Sequence, residues 1–276
     1  MMFKKALKVL ICGAVISATL LATGCSAEKK KVLKIGTECG YAPYNWSQAK
    51  PCEGSVKLYG SSEYAYGYDI IIAKKLAEAM GCELELHKIE WDGLPPAVVS
   101  GKVDAVIAGM AITPERKATV DFTIPYYRAS IVGLVRRDSP QAKAQSVADL
   151  RGAVATSQLN TIWYDKIDQV PDVKKLPAID SVSGMLVALK SGKCNLLVVD
   201  IPCAKAAEFA NPELMMLDLP AEKGFQSTEE EVCAGIALRK GNTELLETLN
   251  SILSTMTESD FNAIMEEAIR KQPLLQ

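Results

Sequence analysis

Residues 101–117 read GKVDAVIAGMAITPERK, and the order of patterns within them decides the class of fold. Val103 to Ala108 is an apolar run whose length suits a buried strand. Thr113, Pro114 and Glu115 then read as the N-cap and first two positions of a helix, expected over 114–120. A buried strand leading into a helix start is the repeating step of an α/β layer structure. Arg116 falls in the first helical turn, where free N–H groups and the macrodipole already concentrate positive charge. Two readings are open. A long side chain can lean into solvent at a cost of about a few tenths of a kcal/mol. Alternatively, Arg116 and neighbouring backbone N–H groups converge on one anion.

The same alternation extends in both directions. Upstream, 32–36 reads as a strand, 68–80 as an amphipathic helix ending at Gly81, 83–89 as a strand and 95–100 as a short helix. Downstream the pattern restarts, with strands at 130–136 and 153–156, helices at 162–167 and 181–190, a strand at 195–199 and a helix at 202–209. A strand at 231–239 and helices at 243–255 and 259–270 finish the chain. Two α/β units of about 90 residues, each with mostly parallel strands, fit this order better than one continuous sheet.

At the N-terminus, Lys4, Lys5 and Lys8 precede an apolar stretch over 9–21 that ends in Leu21-Ala-Thr-Gly-Cys25. A basic start, a short apolar core and a small-residue exit make a secretory signal. The stretch is shorter than the roughly 20 residues a spanning helix needs. Its Gly-Cys exit resembles a lipobox, the processing site of bacterial lipoproteins. That resemblance implies a signal peptide over 1–24, lipidation of Cys25, a linker over 25–31 and an extracytoplasmic, membrane-anchored location. Removing residues 1–24 takes away three lysines and no acid, so the formal charge moves from −2 to −5. No Lys/Arg run follows the Lys29-Lys30-Lys31 linker, so nucleic acid is not an expected partner.

Six further cysteines remain: Cys39, Cys52, Cys82, Cys194, Cys203 and Cys233. With no C-x-x-C and His87 as the sole histidine, neither a metal site nor a cofactor is expected. Disulfides are permitted outside the cytoplasm. Cys39 and Cys52 bracket a loop and form the favoured pair among fifteen possible pairings; the others equally suit small buried positions.

From Val32 onward the chain resembles the family 3 solute-binding proteins of bacterial ABC importers, which capture polar amino acids. The resemblance rests on Tyr41-Ala-Pro-Tyr44, Gly67-Tyr-Asp-Ile-Ile-Ile-Ala-Lys-Lys-Leu76 and Trp91-Asp-Gly-Leu-Pro-Pro-Ala97. Gly101 to Gly109, Thr113-Pro-Glu-Arg-Lys117 and Val120-Asp-Phe-Thr-Ile-Pro-Tyr-Tyr127 continue it. Each motif alone is weak, and their order over about 240 residues is what carries the resemblance. It implies a two-lobed α/β fold of the type II periplasmic-binding-protein kind, with two crossing hinge segments and an interlobe ligand cleft. Lobe 1 is expected from 32–128 and 223–276, lobe 2 from 129–222, with crossings near 127–131 and 219–231. Ligand is expected at the carboxyl ends of the strands, the usual place in α/β sheets.

The resemblance assigns Arg116 to the ligand's α-carboxylate, in a bidentate pair that lysine could not reproduce, with backbone N–H groups around Gly109 and Ala111. Ala111 stands where many relatives place a Ser or Thr. From lobe 2, Ser157 to Thr161 precedes a helix start, and its N–H groups and the Thr161 hydroxyl either close over the same carboxylate or only cap that helix. Asp200, at the end of the apolar run 196–199, is implied to receive the α-ammonium; a turn-forming role before Pro202 is the other reading. Tyr41, Tyr44, Tyr68 and Trp91 match positions that sandwich the ligand side chain, although aromatics also fill cores. Glu38 matches a position where an acid meets that side chain. Tyr59, Tyr64 and Tyr66 lie in an inserted loop that either covers the cleft or faces water.

Two carboxylates against one guanidinium favour a cationic amino acid, arginine or lysine, then glutamine, and disfavour acidic ones. A monomer that delivers its amino acid to a membrane permease is expected. Two other functions compete with this reading. An enzyme on the same fold, similar to cyclohexadienyl dehydratase, would need an acid–base group tuned near neutrality in the cleft, and His87 sits away from the cleft motifs. An amino-acid sensor domain would need a spanning helix beyond the binding module.

Overall fold

The computed structural model describes residues 31–272; the signal segment and Cys25 lie outside them. Two five-stranded mixed sheets organise the chain. The first runs, in spatial order, Glu83–Lys88, Val32–Thr37, Ala105–Val106, Ala237–Arg239 and Val120–Phe122. The second runs Lys174–Lys175, Val154–Thr156, Leu196–Asp200, Ile131–Arg136 and Leu214–Met216. Each keeps a parallel group of three strands, joined through helices, as the alternating pattern predicts. Antiparallel pairing enters each sheet with the strand that arrives from the other unit: Ile131–Arg136 pairs antiparallel with Leu196–Asp200, and Ala237–Arg239 with Ala105–Val106.

Helix Tyr68–Ala79 shows how sequence spacing builds a layer. Asp69, Ile70, Ile72, Ala73, Leu76 and Ala77 are buried, whereas Lys75, Glu78 and Ala79 face water, the i, i+3, i+4 stripe of a core-facing helix. In the second sheet every residue of Leu196–Asp200 is buried, as an unbroken apolar run requires when both faces are covered.

Between the sheets, Tyr127–Arg128 and Cys233–Ala234 pair antiparallel, and Ala129 N–H donates to the Val232 carbonyl at 2.9 Å. These are the two crossing segments. Before the return crossing, Lys223 and Gln226 bond to Val147 and Gln169 of the second unit.

Other expectations are corrected. The helix at 114–120 is only Pro114–Lys117, since Val120–Phe122 is taken as a strand by Ala237–Arg239. The strand at 231–239 is broken between Cys233–Ala234 and Ala237–Arg239. The segment holding Tyr64 and Tyr66 covers no cleft: Tyr64–Tyr66 joins Asn45–Gln48, Gly40–Tyr41 and Val56–Lys57 in a four-stranded antiparallel sheet. Buried Tyr66 donates its hydroxyl to Glu267 at 2.7 Å, and exposed Tyr59 stacks near His87. All six described cysteines are free thiols. Cys39 pairs by its carbonyl with Ser47 N–H, and the hairpin then carries the chain on to exposed Cys52, so the Cys39–Cys52 bond is not made.

Gly67 precedes helix Tyr68–Ala79 with φ of 128°, and a Cβ there would lie 2.4 Å from the Tyr44 carbonyl oxygen. Gly81 after the helix has φ of 65° and open space around it. Both conformations disfavour a side chain, but only one also clashes. Gly67→Ala is expected to lower stability by about 1–3 kcal/mol more than Gly81→Ala, read from urea denaturation of both variants. Equal losses would show that the close approach to Tyr44 is unimportant.

Candidate functional site

A cavity with about 490 Å3 of empty space, part of it open to solvent, lies where strand ends of both sheets meet the crossing segments. Glu38, Tyr41, Tyr44, Trp91, Gly109, Ala111 and Arg116 line it from the first unit. Gln158, Thr161, Trp163 and Asp200 line it from the second.

Arg116 reaches the cavity because its helix starts where it does: the Thr113 hydroxyl accepts from the Arg116 N–H and caps the turn. Its guanidinium lies 5.2 Å from the Trp91 ring centroid, a cation–π distance. Nη1 donates to the Ala111 carbonyl at 2.9 Å and Nη2 to the Asn160 carbonyl at 3.1 Å. Those two bonds leave three of the five guanidinium donors. Burial pulls its pKa down to about 10, so the group stays charged at neutral pH. The side chain therefore points inward, not to solvent.

Asp200 serves two purposes. Its Oδ1 accepts from Cys203 N–H at 2.8 Å, capping helix Ile201–Ala210, and its Oδ2 accepts from the Tyr41 hydroxyl. The capping bond is the turn-forming role that the sequence offers for Asp200. Burial pushes its carboxyl up to about 6, against the lowering effect of the Tyr41 and Cys203 hydrogen bonds. Glu38 is 4% exposed; its Oε1 accepts from Gln158 Nε2 at 2.9 Å, while Oε2 is buried with no partner among the described residues. Burial raises its carboxyl to about 7.

The ring of Tyr41 stacks on Tyr44 with centroids 4.5 Å apart, and Trp163 meets Tyr41 edge-on at 5.4 Å. Gly109, with φ of 59°, lets the backbone pass under this pair, since a Cβ would sit 2.7 Å from Tyr41 Cε1. Its N–H donates to the Tyr126 hydroxyl at 2.9 Å, which leaves Ala111 as the backbone donor nearer Arg116. Thr161 lines the cavity, but its hydroxyl donates to the Gln158 carbonyl at 2.8 Å.

Two expected residues are not brought to the cavity. Tyr68 is fully buried and donates to the Tyr126 carbonyl. Ser157 donates to the Val198 carbonyl at 2.6 Å. Sequence patterns do not single out Gln158, Asn160 or Trp163: the first two lie in a segment whose N–H groups and hydroxyl carry the signal, and Trp163 lies in the helix that follows. Asn160, in the αL conformation with φ of 56°, turns the loop there. Among the described residues no cluster suited to a metal is found, and no helix is long and apolar enough to cross a membrane.

The sequence profile of the bacterial extracellular solute-binding proteins, family 3, matches residues 33–270. The chain belongs to this family. Its relatives include the ABC transporter arginine-binding protein 1 of Escherichia coli (strain K12), 31% identical over 245 residues, 87% of this chain and 92% of that protein. The arginine-binding extracellular protein ArtP of Bacillus subtilis (strain 168) is 29% identical over 256 residues, 91% of this chain and 92% of its own. Among solved structures, the amino-acid ABC transporter substrate-binding protein AbpA of Streptococcus pneumoniae, bound to L-arginine, superposes with a TM-score of 0.73 at 27% identity. That match covers 87% of this chain and 94% of AbpA. The fold is thus the type II form expected of a solute-binding protein, and these relatives are transport binding proteins, not enzymes.

A raised carboxyl pKa has a sign in stability. A carboxyl whose folded pKa exceeds its unfolded value adds stability below the unfolded value and loses it as pH rises through the folded one. For Glu38 that window runs from 4.5 to about 7. Without ligand, Glu38→Gln should match wild type near pH 4.5 and become more stable by up to about 3 kcal/mol by pH 8. Denaturation at both pH values checks this; a difference independent of pH would contradict it.

Proposed function

We propose that the cavity holds a cationic amino acid, arginine first and lysine next, in a solute-binding protein of an amino-acid ABC importer. The observation that carries this reading is Glu38 Oε2, buried in the cavity wall without a partner. A buried carboxylate oxygen left unpaired is costly, and a cation on the ligand side chain would relieve it. In this reading Arg116 and the Ala111 N–H take the α-carboxylate and Asp200 the α-ammonium. Tyr41 and Trp91 flank the side chain, and Thr161 closes the carboxylate end. Gly109 contributes a wall, not a donor, since its N–H is already bonded.

Charge count supports the choice. Two carboxylates and one guanidinium meet one carboxylate and two cationic groups of the ligand, so every charge has a partner. Glutamine can donate to Glu38 but leaves one charge uncompensated, and glutamate adds repulsion in a partly desolvated site. Two relatives named for arginine, at 31% and 29% identity, point the same way.

The lobes of this reading are 32–128 with the C-terminal part, and the middle of the chain. The bonds of Lys223 and Gln226 support moving the second boundary from 222 to about 227. Lipid anchoring at Cys25 and delivery to a permease complete the proposal; labelling with a radioactive fatty acid, lost in Cys25→Ser, tests the anchor.

Calorimetric titration tests the ligand. Wild type should bind arginine more tightly than glutamine and glutamate weakly, and Glu38→Gln should weaken arginine more than glutamine. Tighter binding of glutamate than of arginine would sink the charge argument. Arg116→Lys should weaken arginine by about 1.5–3 kcal/mol, because a point charge replaces bidentate geometry, with the fold retained by circular dichroism. An unchanged dissociation constant would remove Arg116 from the site.

A further inference from the structure

Behind the cavity, and lining none of it, lies a completely buried carboxylate. Asp69 sits in the first turn of helix Tyr68–Ala79 with no exposed surface. Its Oδ1 accepts from the Tyr126 hydroxyl and its Oδ2 from Asn45 Nδ2, both at 2.7 Å. Each partner passes the connection on. The Tyr126 hydroxyl accepts the Gly109 N–H at 2.9 Å, and Asn45 Oδ1 accepts the Cys39 N–H at 2.7 Å.

Both ends of this relay are places where the backbone needs holding. Gly109 has φ of 59° beneath the Tyr41–Tyr44 stack. Cys39, a residue with a side chain, has φ of 60°, and it follows Glu38 directly. Positive φ is costly for such a residue and persists where surrounding bonds impose it. Tyr126 also ties into the crossing segments, since its N–H donates to the Ala234 carbonyl at 2.9 Å. The Asp69 carboxyl is raised to about 6 by burial and is therefore mostly ionised at neutral pH, so both bonds to it are charge-assisted and stronger than neutral ones.

We propose that Asp69 is a positioning residue of the ligand cavity, which holds the Gly109 wall through the Tyr126 hydroxyl and the Glu38 turn through Asn45. It touches no ligand; its effect on binding passes entirely through those two backbone segments. The ligand half of the test rests on the arginine reading above, and the backbone half does not.

The experiment compares wild type, Asp69→Asn, Tyr126→Phe and the double variant at pH 7.5. Hydrogen exchange of the Gly109 amide in the ligand-free protein is read by NMR, with amides of strand Leu196–Asp200 as the reference for global stability. Titration with L-arginine follows. Each single variant should speed Gly109 exchange about tenfold or more over the reference amides and raise the arginine dissociation constant about tenfold, the size of one charge-assisted bond. Because the Gly109 N–H also bears directly on the Asp69 carboxylate, Asp69→Asn should add less than its full single effect to Tyr126→Phe at Gly109. Tyr126→Phe keeps the ring, so it reads the relay even where Asp69→Asn folds poorly. Gly109 exchange unchanged relative to the reference amides in Tyr126→Phe would overturn the relay, as would full additivity. Faster Gly109 exchange with unchanged arginine affinity would overturn the positioning role. Failure of wild type to bind arginine would count against the ligand assignment alone, and the exchange data would then decide the relay.

Discussion

Glu38 and Asp200 are buried and Arg116 half-buried around one cavity, and among the described residues none is ion-paired with another. Everything else in the site follows from making that arrangement tolerable. Taking a charge out of water costs several kcal/mol unless dipoles or counter-charges replace the solvent. Arg116 receives two carbonyls and an aromatic face, Asp200 a helix N–H and a tyrosine hydroxyl, and Glu38 a single amide. The incompleteness of that replacement appears as raised carboxyl pKa values and a lowered guanidinium pKa. In the proposed reading, a zwitterion with a cationic side chain supplies what the protein withholds, and affinity and selectivity arise from one cause.

The two sheets make this possible because their strands end at the same place. Val32–Thr37 delivers Glu38, Ala105–Val106 leads to Gly109, and Leu196–Asp200 ends on its own acid. Only two chain segments connect the units, at Tyr127–Arg128 and Cys233–Ala234. Polar contacts between the units at the cavity are Gln158 to Glu38, Asn160 to Asp92, Trp91 and Arg116, and Tyr41 to Asp200, and away from it Gln272 donates to the Ala206 carbonyl.

Much of this was readable beforehand because local rules carry it. The apolar run ending at Ala108, the Thr113-Pro114 helix start and the alternation of strand and helix depend on spacing and backbone chemistry, which tertiary context here leaves intact. Arg116 was conspicuous for sitting at the positive end of a helix, and Asp200 for closing an apolar strand. The short antiparallel sheet around Tyr64–Tyr66 was not readable, since strands of two to four residues carry too little pattern to separate from loop.

By itself, then, the order of residues determined the α/β class and the strand ends at which charge would gather, since these follow from periodicity and caps within single elements, while the family came from the resemblance of its ordered motifs. Only the tertiary structure decided which of those groups share a cavity. Tyr68 and Tyr41 look alike in sequence, yet one turns into the core against Tyr126 and the other meets Asp200 from a distant strand. The same holds for Gln158 and the Asp69 relay, whose partners lie up to 120 positions away. Proximity across such separations is set by how layers pack, and no local pattern records it.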